Sequence, residues 1–505
     1  MSTINSDAVI GVIGAGTMGA GIAQVAAKSG HSVLLYDAFE GAAQRGLDGV
    51  SKGLSKLVQR GKMQQTDVDA LLARITLTDS LEDFAPARVV IEVIVERLDI
   101  KQSVFAQLEE ICAEDTILAT NTSSISVTAI GSKLKRPHNL VGMHFFNPAP
   151  IMKLVEVISG LDTAPAVADA IYDLSALWGK KPVRAKSTPG FIVNRVARPF
   201  YAEGLRVLQE GGADEATIDA IIREAGGFRM GPFELMDLIG HDVNFAVTSS
   251  VFAAFFNDQR FLPSLIQQEL VSAGHLGRKS GKGFYDYSEQ ADKPAASTAA
   301  PAKAPHHVTI EGHLGVAEPL VALIEEAGIK VSRVQEGFGS ILIGDTTLQL
   351  TNGQMTTERA HNARNSNLIH FDLTLDYNKA TRIALAPADQ TQPDAILQAT
   401  GLFQAIGKHV TIIDDVAGMV VMRTIAMLAN EGFDAVNQQV CSEADVDVAM
   451  KGGVNYPFGP IEWSKAVGLG VIMNVLDNLA SSYGEDRYRT SPLIRRNVAG
   501  GKHDS

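Results

Sequence analysis

The chain has 505 residues, of which 46% are hydrophobic and 20% are charged, and its formal net charge is −13. These values predict a globular chain that is too long for one hydrophobic core, and they argue against a nucleic-acid-binding surface. Its two cysteines, Cys112 and Cys441, have no neighbouring cysteine or histidine, so we expect neither disulfides nor a metal. The first strand begins near the N-terminus, and no apolar run approaches the ~20 residues of a membrane span. We therefore expect a cytoplasmic protein without nucleic-acid or membrane partners.

The chain opens on a predicted strand, a glycine-rich turn and a helix. Residues 9–14 are apolar, the turn Gly14–Gly19 follows, and an alanine-rich helix leads to a second strand that ends on Asp37. Gly14 allows the tight turn, Gly16 lets the backbone approach a pyrophosphate, and Gly19 lets the helix pack close to the sheet. The free N–H groups at the N-terminus of the helix bind phosphate. A carboxylate at position 37 binds ribose hydroxyls and repels a 2′-phosphate, so the pattern predicts NAD rather than NADP. The residues expected to contact it are Gly14, Gly16, Thr17, Met18, Gly19 and Asp37.

The pattern beyond this turn predicts a doubly wound α/β domain followed by helices. Predicted strands lie at 9–14, 32–37, 89–95, 116–119, 140–143 and 154–158. Long amphipathic helices begin at Thr188 and continue to about Tyr287, and a Pro/Ala/Lys-rich tract then predicts an extended linker. The predicted domains are 1–186 (NAD-binding), 187–288 (helical), 289–306 (linker), 307–412 (degenerate α/β segment) and 413–505 (second helical copy).

The helical domain is duplicated. Gly190–Arg195 matches Gly418–Arg423, and Gly231–Glu234 matches Gly459–Glu462 at the same separation. A constant offset between several motifs indicates an internal repeat rather than chance similarity.

Segment 307–412 resembles a shrunken copy of the first domain, with the cofactor signals lost. Leu314 and Ala317 stand where the second and third glycines of the turn would be, and Gln335 replaces the acid. We therefore expect no NAD in this half. His370-Phe-Asp372 only faintly resembles His144-Phe-Phe-Asn147 of the first half, and no carboxylate follows it in the position of Glu156. Met422 stands where the first half has Asn194. The second half is therefore predicted to be structural.

Four polar residues follow strands of the first domain or open the first helical domain: Ser123, His144, Glu156 and Asn194. In open α/β sheets the ligand crevice lies beyond the carboxyl ends of the strands. Oxidation of a secondary alcohol needs a base for the hydroxyl proton, and a histidine oriented by a carboxylate provides one near neutral pH. Taken singly, each residue also has a structural interpretation, such as a buried histidine or a helix cap.

The motifs together resemble the L-3-hydroxyacyl-CoA dehydrogenase family. The matching runs are Asn121–Ser124, His144–Pro148, Leu154–Val157, Gly190–Arg195 and Gly277–Tyr285. The resemblance implies that His144 is the catalytic base and Glu156 its partner, while Ser123 and Asn194 hold the substrate. Further residues that it implies at the NAD site are Glu96, Lys101, Asn121 and Asn147.

The resemblance implies a fold and a reaction. The expected fold is a Rossmann-type α/β NAD domain and an all-α domain, then a degenerate small α/β segment and a second copy of the helical domain. The expected reaction is oxidation of an (S)-3-hydroxyacyl-CoA to the 3-ketoacyl-CoA. Family members with one helical domain use it as a dimer interface, so the second copy is expected to form an intrachain pseudo-dimer; a homo-oligomer through other surfaces remains open.

The substrate is less closely defined. The plan resembles the long bacterial members of phenylacetate degradation, which act on 3-hydroxyadipyl-CoA; the alternatives are 3-hydroxybutyryl-CoA and, in another class, a non-catalytic NAD-binding relative. A lysine-based dehydrogenase is a further alternative. Coenzyme A phosphates are expected to meet Lys56, with Lys52 and Lys62 as neighbours, although a solvated basic face explains these lysines equally well. Candidate cations for an adipyl carboxylate are Arg195, Arg198 and Arg229.

Overall fold

The computed structural model describes residues 4–501, which divide into two compact units. Unit 1 comprises the described residues up to Arg195 together with Gln438–Val454. Unit 2 comprises Val196–Asn437 and the described residues from Asn455 onwards. A short segment of the second helical copy therefore belongs to the unit that holds the N-terminal domain.

Unit 1 is built on an eight-stranded sheet in the order β3-β2-β1-β4-β5-β6-β7-β8, parallel except for the antiparallel pair β6–β7. Its strands are β1 Ile10–Ile13, β2 Val33–Tyr36, β3 Ile75–Thr78, β4 Val89–Glu92, β5 Ile117–Thr120, β6 Leu140–Phe145, β7 Leu154–Ser159 and β8 Lys181–Lys186. The central strands β1, β4 and β5 are fully buried, as expected for parallel strands covered on both faces. All six predicted strands are present. The two that the pattern missed, β3 and β8, are sheet edges with exposed polar positions.

Helices cover both faces of this sheet. They are α1 Thr17–Lys28, α2 Ala42–Gln59, α3 Gln65–Leu72, α4 Leu98–Ile111, α5 Val127–Gly131, α6 Pro165–Leu177 and α7 Val193–Val196, with short 3₁₀ helices at Leu81–Phe84 and Pro137–Asn139. Helix α1 buries Gly19, Ile22 and Ala23 against the sheet, which explains its small-residue content. The predicted doubly wound architecture is confirmed.

Unit 2 contains a seven-stranded mixed sheet in the order β10-β9-β11-β12-β13-β14-β15. Its strands are β9 His307–Glu311, β10 Lys330–Val334, β11 Ser340–Ile343, β12 Thr346–Leu350, β13 Leu368–Phe371, β14 Arg382–Pro387 and β15 His409–Ile412. Strand β13 pairs with β14 in antiparallel fashion, and β14 with β15 in parallel fashion, as β6, β7 and β8 do in unit 1. The degenerate α/β segment predicted for 307–412 is therefore present.

The remaining helices form the two helical copies and cover the small sheet. Those of the first copy are α8 Arg198–Gln209, α9 Glu215–Glu224, α10 Pro232–Ile239, α11 His241–Ala254 and α12 Leu265–Ser272, with 3₁₀ helices at Gln259–Phe261 and Arg278–Ser280. Those after the linker are α13 Pro319–Glu326, α14 Thr356–Ala363, α15 Pro393–Ala405, α16 Val421–Asn437, α17 Glu443–Gly453, α18 Pro460–Val467, α19 Leu469–Tyr483 and α20 Pro492–Ala499, with 3₁₀ helices at Gly315–Ala317 and Asp486–Tyr488.

Fine details recur at matching positions of the two halves. Lys180 donates to two backbone carbonyls before β8, and Lys408 does the same before β15. Phe191 and Met419 both adopt positive φ angles, of 47° and 55°. A buried non-glycine residue in this region is strained, so the same strained turn opens both helical copies.

The Pro/Ala-rich tract contains no helix or strand but is bound to unit 2. Ala299 donates its backbone N–H to Val410 of β15 at 2.8 Å. The carbonyl of Ser297 accepts from Thr411 and from the guanidinium of Arg382. The extended linker that the sequence predicts is therefore held along the edge of the small sheet.

Each unit also holds a contact that mirrors one in the other unit. In unit 1, Lys186 at the end of β8 donates its N–H to the carbonyl of Val440 at 2.9 Å. In unit 2, Asp414 after β15 donates to the carbonyl of Gly212, also at 2.9 Å. These residues are at matching positions of the repeat, so each helical copy supplies a segment to the opposite α/β half.

Candidate active site

The glycine turn after β1 has the backbone geometry that the sequence predicts. Gly14 has a φ of +98°, and a Cβ there would lie 2.4 Å from the carbonyl oxygen of Val93. A Cβ on Gly19 would lie 1.7 Å from the carbonyl oxygen of Gly14. At Gly16, by contrast, none of the described atoms lies within 4 Å of the Cβ position, and this glycine precedes the first turn of α1. The space beside Gly16 and the free amides of α1 fit a pyrophosphate group.

Asp37 links the end of β2 to this turn. One of its oxygens accepts the N–H of Ala15 at 2.7 Å, and the other accepts the N–H of Phe39 at 3.0 Å. A cavity of about 620 Å³ lies beside these residues, large enough for part of a dinucleotide. Its lining includes Gly16, Thr17 and Asp37, but also the exposed Phe39 and Arg45, which the sequence argument missed. For Phe39, the available signal was its position two residues after Asp37.

Glu96 and Lys101 form one electrostatic cluster with Glu92. The Lys101 side chain is 1% exposed, and its Nζ lies 2.6 Å from Glu92 and 3.3 Å from Glu96. Burial opposes ionisation of Glu96, but hydrogen bonds from Thr122 and Ser124 and the Lys101 charge outweigh it and lower the pKa of this carboxyl. Lys101 therefore fixes Glu96 in this structure.

The loop after β5 is organised by the same carboxylate. Glu96 Oε1 accepts the backbone N–H groups of Ser123 and Ser124, both at 3.0 Å. Asn121 accepts the N–H of Phe145 at 2.8 Å and so ties this loop to the end of β6. Asn147 is exposed, as is Thr17, whereas Met18 is half-buried.

His144 and Glu156 face each other across the antiparallel pair β6–β7. His144 Nδ1 lies 2.6 Å from Glu156 Oε2, and the two side chains are 7% and 0% exposed. The ring of Phe146 packs against the imidazole with the centroids 4.5 Å apart, and Phe191 lies on another side at 5.9 Å. A carboxylate at Nδ1 keeps the proton on that nitrogen, so Nε2 is left as an acceptor for a substrate proton.

The second oxygen of Glu156 has a structural partner. Glu156 Oε1 accepts the backbone N–H groups of Ile192 and Val193, at 2.9 and 3.0 Å. These amides precede and open α7, the helix that carries Asn194. The buried carboxylate thus fixes both the imidazole and the start of the helical domain.

The four predicted residues meet at this end of the sheet. Asn194 Nδ2 donates to the backbone carbonyl of Ser123 at 3.4 Å, and both side chains are partly exposed. His144 and Glu156 lie at the ends of adjacent strands, as expected for a ligand crevice. Together the four residues offer an imidazole held by a carboxylate and two polar side chains. This arrangement suits removal of a proton from a polarised hydroxyl.

The corresponding strand pair of unit 2 corrects the sequence alignment. His370 is paired with Ala386, and its ring is fully buried, which holds the pKa of this histidine well below its usual range. The residue at the place of His144 is Asp372, whose N–H bonds to the carbonyl of Ala384. The expected correspondence of His370 with His144 is therefore wrong by two residues. The residue that faces Asp372, at the place of Glu156, is Ala384 and carries no carboxylate, as predicted.

The predicted coenzyme A lysines are exposed on or just after α2. Lys52 and Lys56 lie on one side of this amphipathic helix, and Lys62 follows its end. Within residues 4–501, no cluster of three metal-ligating side chains occurs. The same range contains no helix that is long and apolar enough to cross a membrane. Both cysteines are free, and burial raises the pKa of the Cys112 thiol to about 11.

Family models cover most of the chain. The NAD-binding domain of 3-hydroxyacyl-CoA dehydrogenase matches residues 9–188, and the C-terminal domain of the same family matches residues 190–287 and again residues 418–504. A reduced Rossmann-fold domain of 3-hydroxybutyryl-CoA dehydrogenase matches residues 348–416. The duplication of the helical domain is thus confirmed.

Individual relatives agree with the family models. A 3-hydroxyadipyl-CoA dehydrogenase of Escherichia coli K12 is 45% identical over 487 residues, which cover 96% of each chain. A 3-hydroxybutyryl-CoA dehydrogenase of Clostridioides difficile is 42% identical over 55% of this chain and 99% of its own. Among solved structures, a 3-hydroxybutyryl-CoA dehydrogenase from Escherichia coli K12 matches with a TM-score of 0.90 and 43% identity, covering 99% of this chain and 100% of that one.

Proposed function

The chain belongs to the 3-hydroxyacyl-CoA dehydrogenase family, and we propose that it oxidises (S)-3-hydroxyadipyl-CoA to the 3-ketoacyl thioester, with His144 as the catalytic base. The observation that carries the proposal is the buried pair of His144 and Glu156, 2.6 Å apart at the end of β6. A buried carboxylate that orients an imidazole is the arrangement needed to accept a hydroxyl proton near neutral pH.

The protein side chains divide the work of the reaction. NAD, when bound, accepts the hydride that leaves the substrate carbon. His144 Nε2 takes the hydroxyl proton, and Glu156 stabilises the resulting imidazolium through Nδ1. Ser123 and Asn194 hold the substrate hydroxyl and the thioester carbonyl, for which their partly exposed side chains are available.

Residues of the glycine turn hold the cofactor. Gly16 and the first amides of α1 bind the pyrophosphate, and the carboxylate of Asp37 binds the ribose hydroxyls. Glu96, Asn121 and Asn147, on the loops that follow β4, β5 and β6, contact the nicotinamide half, and Lys101 positions Glu96.

The acyl chain is tested by kinetics on two thioesters. We expect kcat/KM for NAD reduction to be at least tenfold higher with 3-hydroxyadipyl-CoA than with 3-hydroxybutyryl-CoA, which is about 1.4 kcal/mol of discrimination. Such a preference would support a role in aromatic-acid breakdown, including phenylacetate degradation, in the cytoplasm. A preference for the butyryl thioester would assign the same chemistry to short-chain acids, and no turnover of either would favour a non-catalytic relative.

We further propose that the second helical copy supports the active site as an intrachain pseudo-dimer partner. Within unit 1, Gly453 lies against the strand and helix that carry the catalytic residues. A Cβ on Gly453 would lie 2.7 Å from Leu154 Cδ2, 3.0 Å from Val193 Cγ2 and 3.5 Å from Phe146 Cε1. Phe146 in turn packs on the imidazole of His144.

The pseudo-dimer proposal predicts a long-range effect on turnover. Gly453→Val should lower kcat at least tenfold without changing the Kd for NAD, because it displaces the catalytic strand rather than the glycine turn. Gly470→Val is the matched control, since none of the described atoms lies within 4 Å of its Cβ position. The wild-type chain should also remain active as a monomer in analytical ultracentrifugation. Equal kcat values for the two variants, or activity confined to a dimer, would contradict the proposal.

A further inference from the structure

A cavity of about 170 Å³ lies inside unit 2, lined by residues of the first helical copy and by Arg487 of the second. Four of its lining residues are arginines: Arg198, Arg206, Arg260 and Arg487. This volume is below the roughly 300–1,000 Å³ of typical small-molecule pockets, so the cavity suits a small anion better than a nucleotide or coenzyme A.

Three of the arginines already have carboxylate partners. Arg206 lies 2.6 Å from Glu485, and Arg487 lies 3.8 Å from the same carboxylate. Arg260 lies 2.6 Å from Asp434. Their charges are therefore balanced by the protein.

Arg198 differs from its neighbours. Its side chain is buried, yet among residues 4–501 no carboxylate lies within 4 Å of its guanidinium. Its Nη1 donates to Thr248 Oγ1 at 3.0 Å, and the guanidinium stacks over the ring of Tyr201 at 4.9 Å. Its Nε has no hydrogen-bond partner in the part of the chain that the structure describes. Burial lowers the pKa of this guanidinium, and an arginine side chain keeps its proton in proteins. A buried cation without a counter-ion is costly, so an anionic ligand beside Arg198 would stabilise the protein.

A second donor points to the same ligand. The hydroxyl of Ser264 is buried in the cavity wall, and none of the described residues is its hydrogen-bond partner. Ser264 precedes α12, but its side chain does not cap that helix. The rest of the wall includes apolar side chains such as Leu205 and Phe261. A fork of guanidinium donors beside an apolar wall matches a carboxylate on an alkyl chain better than inorganic phosphate.

The second helical copy lacks the unpaired arginine. At the repeat positions of Arg198, Tyr201 and Thr248 it has Ala426, Ala429 and Leu476. Ser264 is not particular to the first copy, because Ser491 likewise precedes a helix without capping it, and its buried hydroxyl has no hydrogen-bond partner among residues 4–501. A purely structural role in the helical fold would not require Arg198, because the second copy folds with an alanine there.

We propose that this cavity binds a carboxylate carried on a short alkyl chain, with Arg198 as its counter-ion and Ser264 as a second donor. The carboxylate has two possible sources. One is the free end of the dicarboxylyl thioester substrate, in which case the inference rests on the proposed function. The other is a free dicarboxylic acid.

The test compares Arg198→Met with wild type in two measurements. One is kcat/KM with 3-hydroxyadipyl-CoA and 3-hydroxybutyryl-CoA, and the other is calorimetric titration with adipate. For the thioester source we expect at least a tenfold selective loss with the adipyl substrate and a change below twofold with the butyryl substrate. For the free acid we expect adipate to bind wild type and not the variant, with both thioesters affected equally. Arg229→Met is the matched control, because Arg229 is exposed.

Thermal melting separates a ligand site from a structural role. Without dicarboxylate, Arg198→Met should melt at or above the wild-type temperature, since it removes a buried unpaired charge. The proposal is overturned if the variant is less stable and neither adipate binding nor adipyl selectivity depends on Arg198, or if Arg229→Met shows the selective loss instead. Failure of the proposed function is distinguishable: wild type would then turn over neither thioester, while the adipate titration would still decide whether the cavity binds a carboxylate.

Discussion

The antiparallel pairs β6–β7 and β13–β14 are the same element in two halves of the chain, and they use a buried acid differently. In the first, His144 faces Glu156, whose second oxygen accepts the N–H groups of Ile192 and Val193. In the second, the acid is Asp372, at the place of the histidine, and Ala384 faces it.

Asp372 nevertheless performs one of the two roles of Glu156. It accepts the N–H groups of Val420, Val421 and Met422, the first two of which match those held by Glu156. Burial raises the pKa of Asp372 to about 6, although these N–H groups favour its charged form. The strained turn that opens each helical copy therefore has a buried carboxylate acceptor in both halves, although the two acids lie on facing strands.

The largest expected effect separates the two buried histidines. His144→Gln should lower kcat by roughly 10²–10⁴-fold, because no general base remains at the substrate hydroxyl, while NAD binding is retained. His370→Gln should leave kcat within twofold. NADH formation under saturating substrate measures both. Substantial turnover by His144→Gln would instead favour a lysine mechanism.

The two carboxylates allow a matched pair of substitutions. Glu156→Gln should lower kcat by roughly 10²–10⁴-fold, because an amide NH₂ facing Nδ1 favours the tautomer with its proton on Nε2. Asp372→Asn should keep kcat within twofold and lower the free energy of unfolding by about 1.5–3 kcal/mol through weakened hydrogen bonds to the carboxylate. Thermal melts and kinetics on both variants provide the measurement. A similar loss of kcat in both would mean that the two acids do the same work.

The cofactor turn of the first half can be tested at Gly16, which the second half replaces with Leu314. Gly16→Val should raise the Kd for NAD by about 100-fold or more, because the side chain enters the space of the pyrophosphate. Its φ of −65° suits any residue, so Tm should change by less than about 2 °C. Gly53→Val, at a glycine that also has open space around it, is the control for NAD titrations. Unchanged NAD affinity in Gly16→Val would place the pyrophosphate elsewhere.

The smallest effect concerns the exposed lysines of the catalytic half. Lys56→Gln should raise KM for the CoA thioester about threefold at low ionic strength and less at high salt, since an exposed charge pair is weak and screened. Lys52→Gln on the same helix is the comparison. A KM that does not respond to salt in either variant would assign both lysines to a solvated face.

Much of the fold and the site follows from local patterns. The glycine turn with Asp37, the apolar strands and the duplicated motifs are short-range signals, and all six predicted strands are present. The edges β3 and β8 were missed because a half-exposed edge strand carries few apolar residues. The place of Asp372 was missed because strand register depends on a partner far away in the chain.

The sequence by itself determined the cofactor turn and the repeat, and it predicted the acid–base pair, because each of these signals lies in a short contiguous run of residues. Only the tertiary structure decided which residue faces which. It paired Asp372 with an alanine and brought Gln438–Val454 into unit 1. It also buried Arg198 at a place where no carboxylate of residues 4–501 lies within ion-pair distance. The physical reason is that burial and charge balance are set by neighbours in space, and these neighbours come from distant parts of the chain.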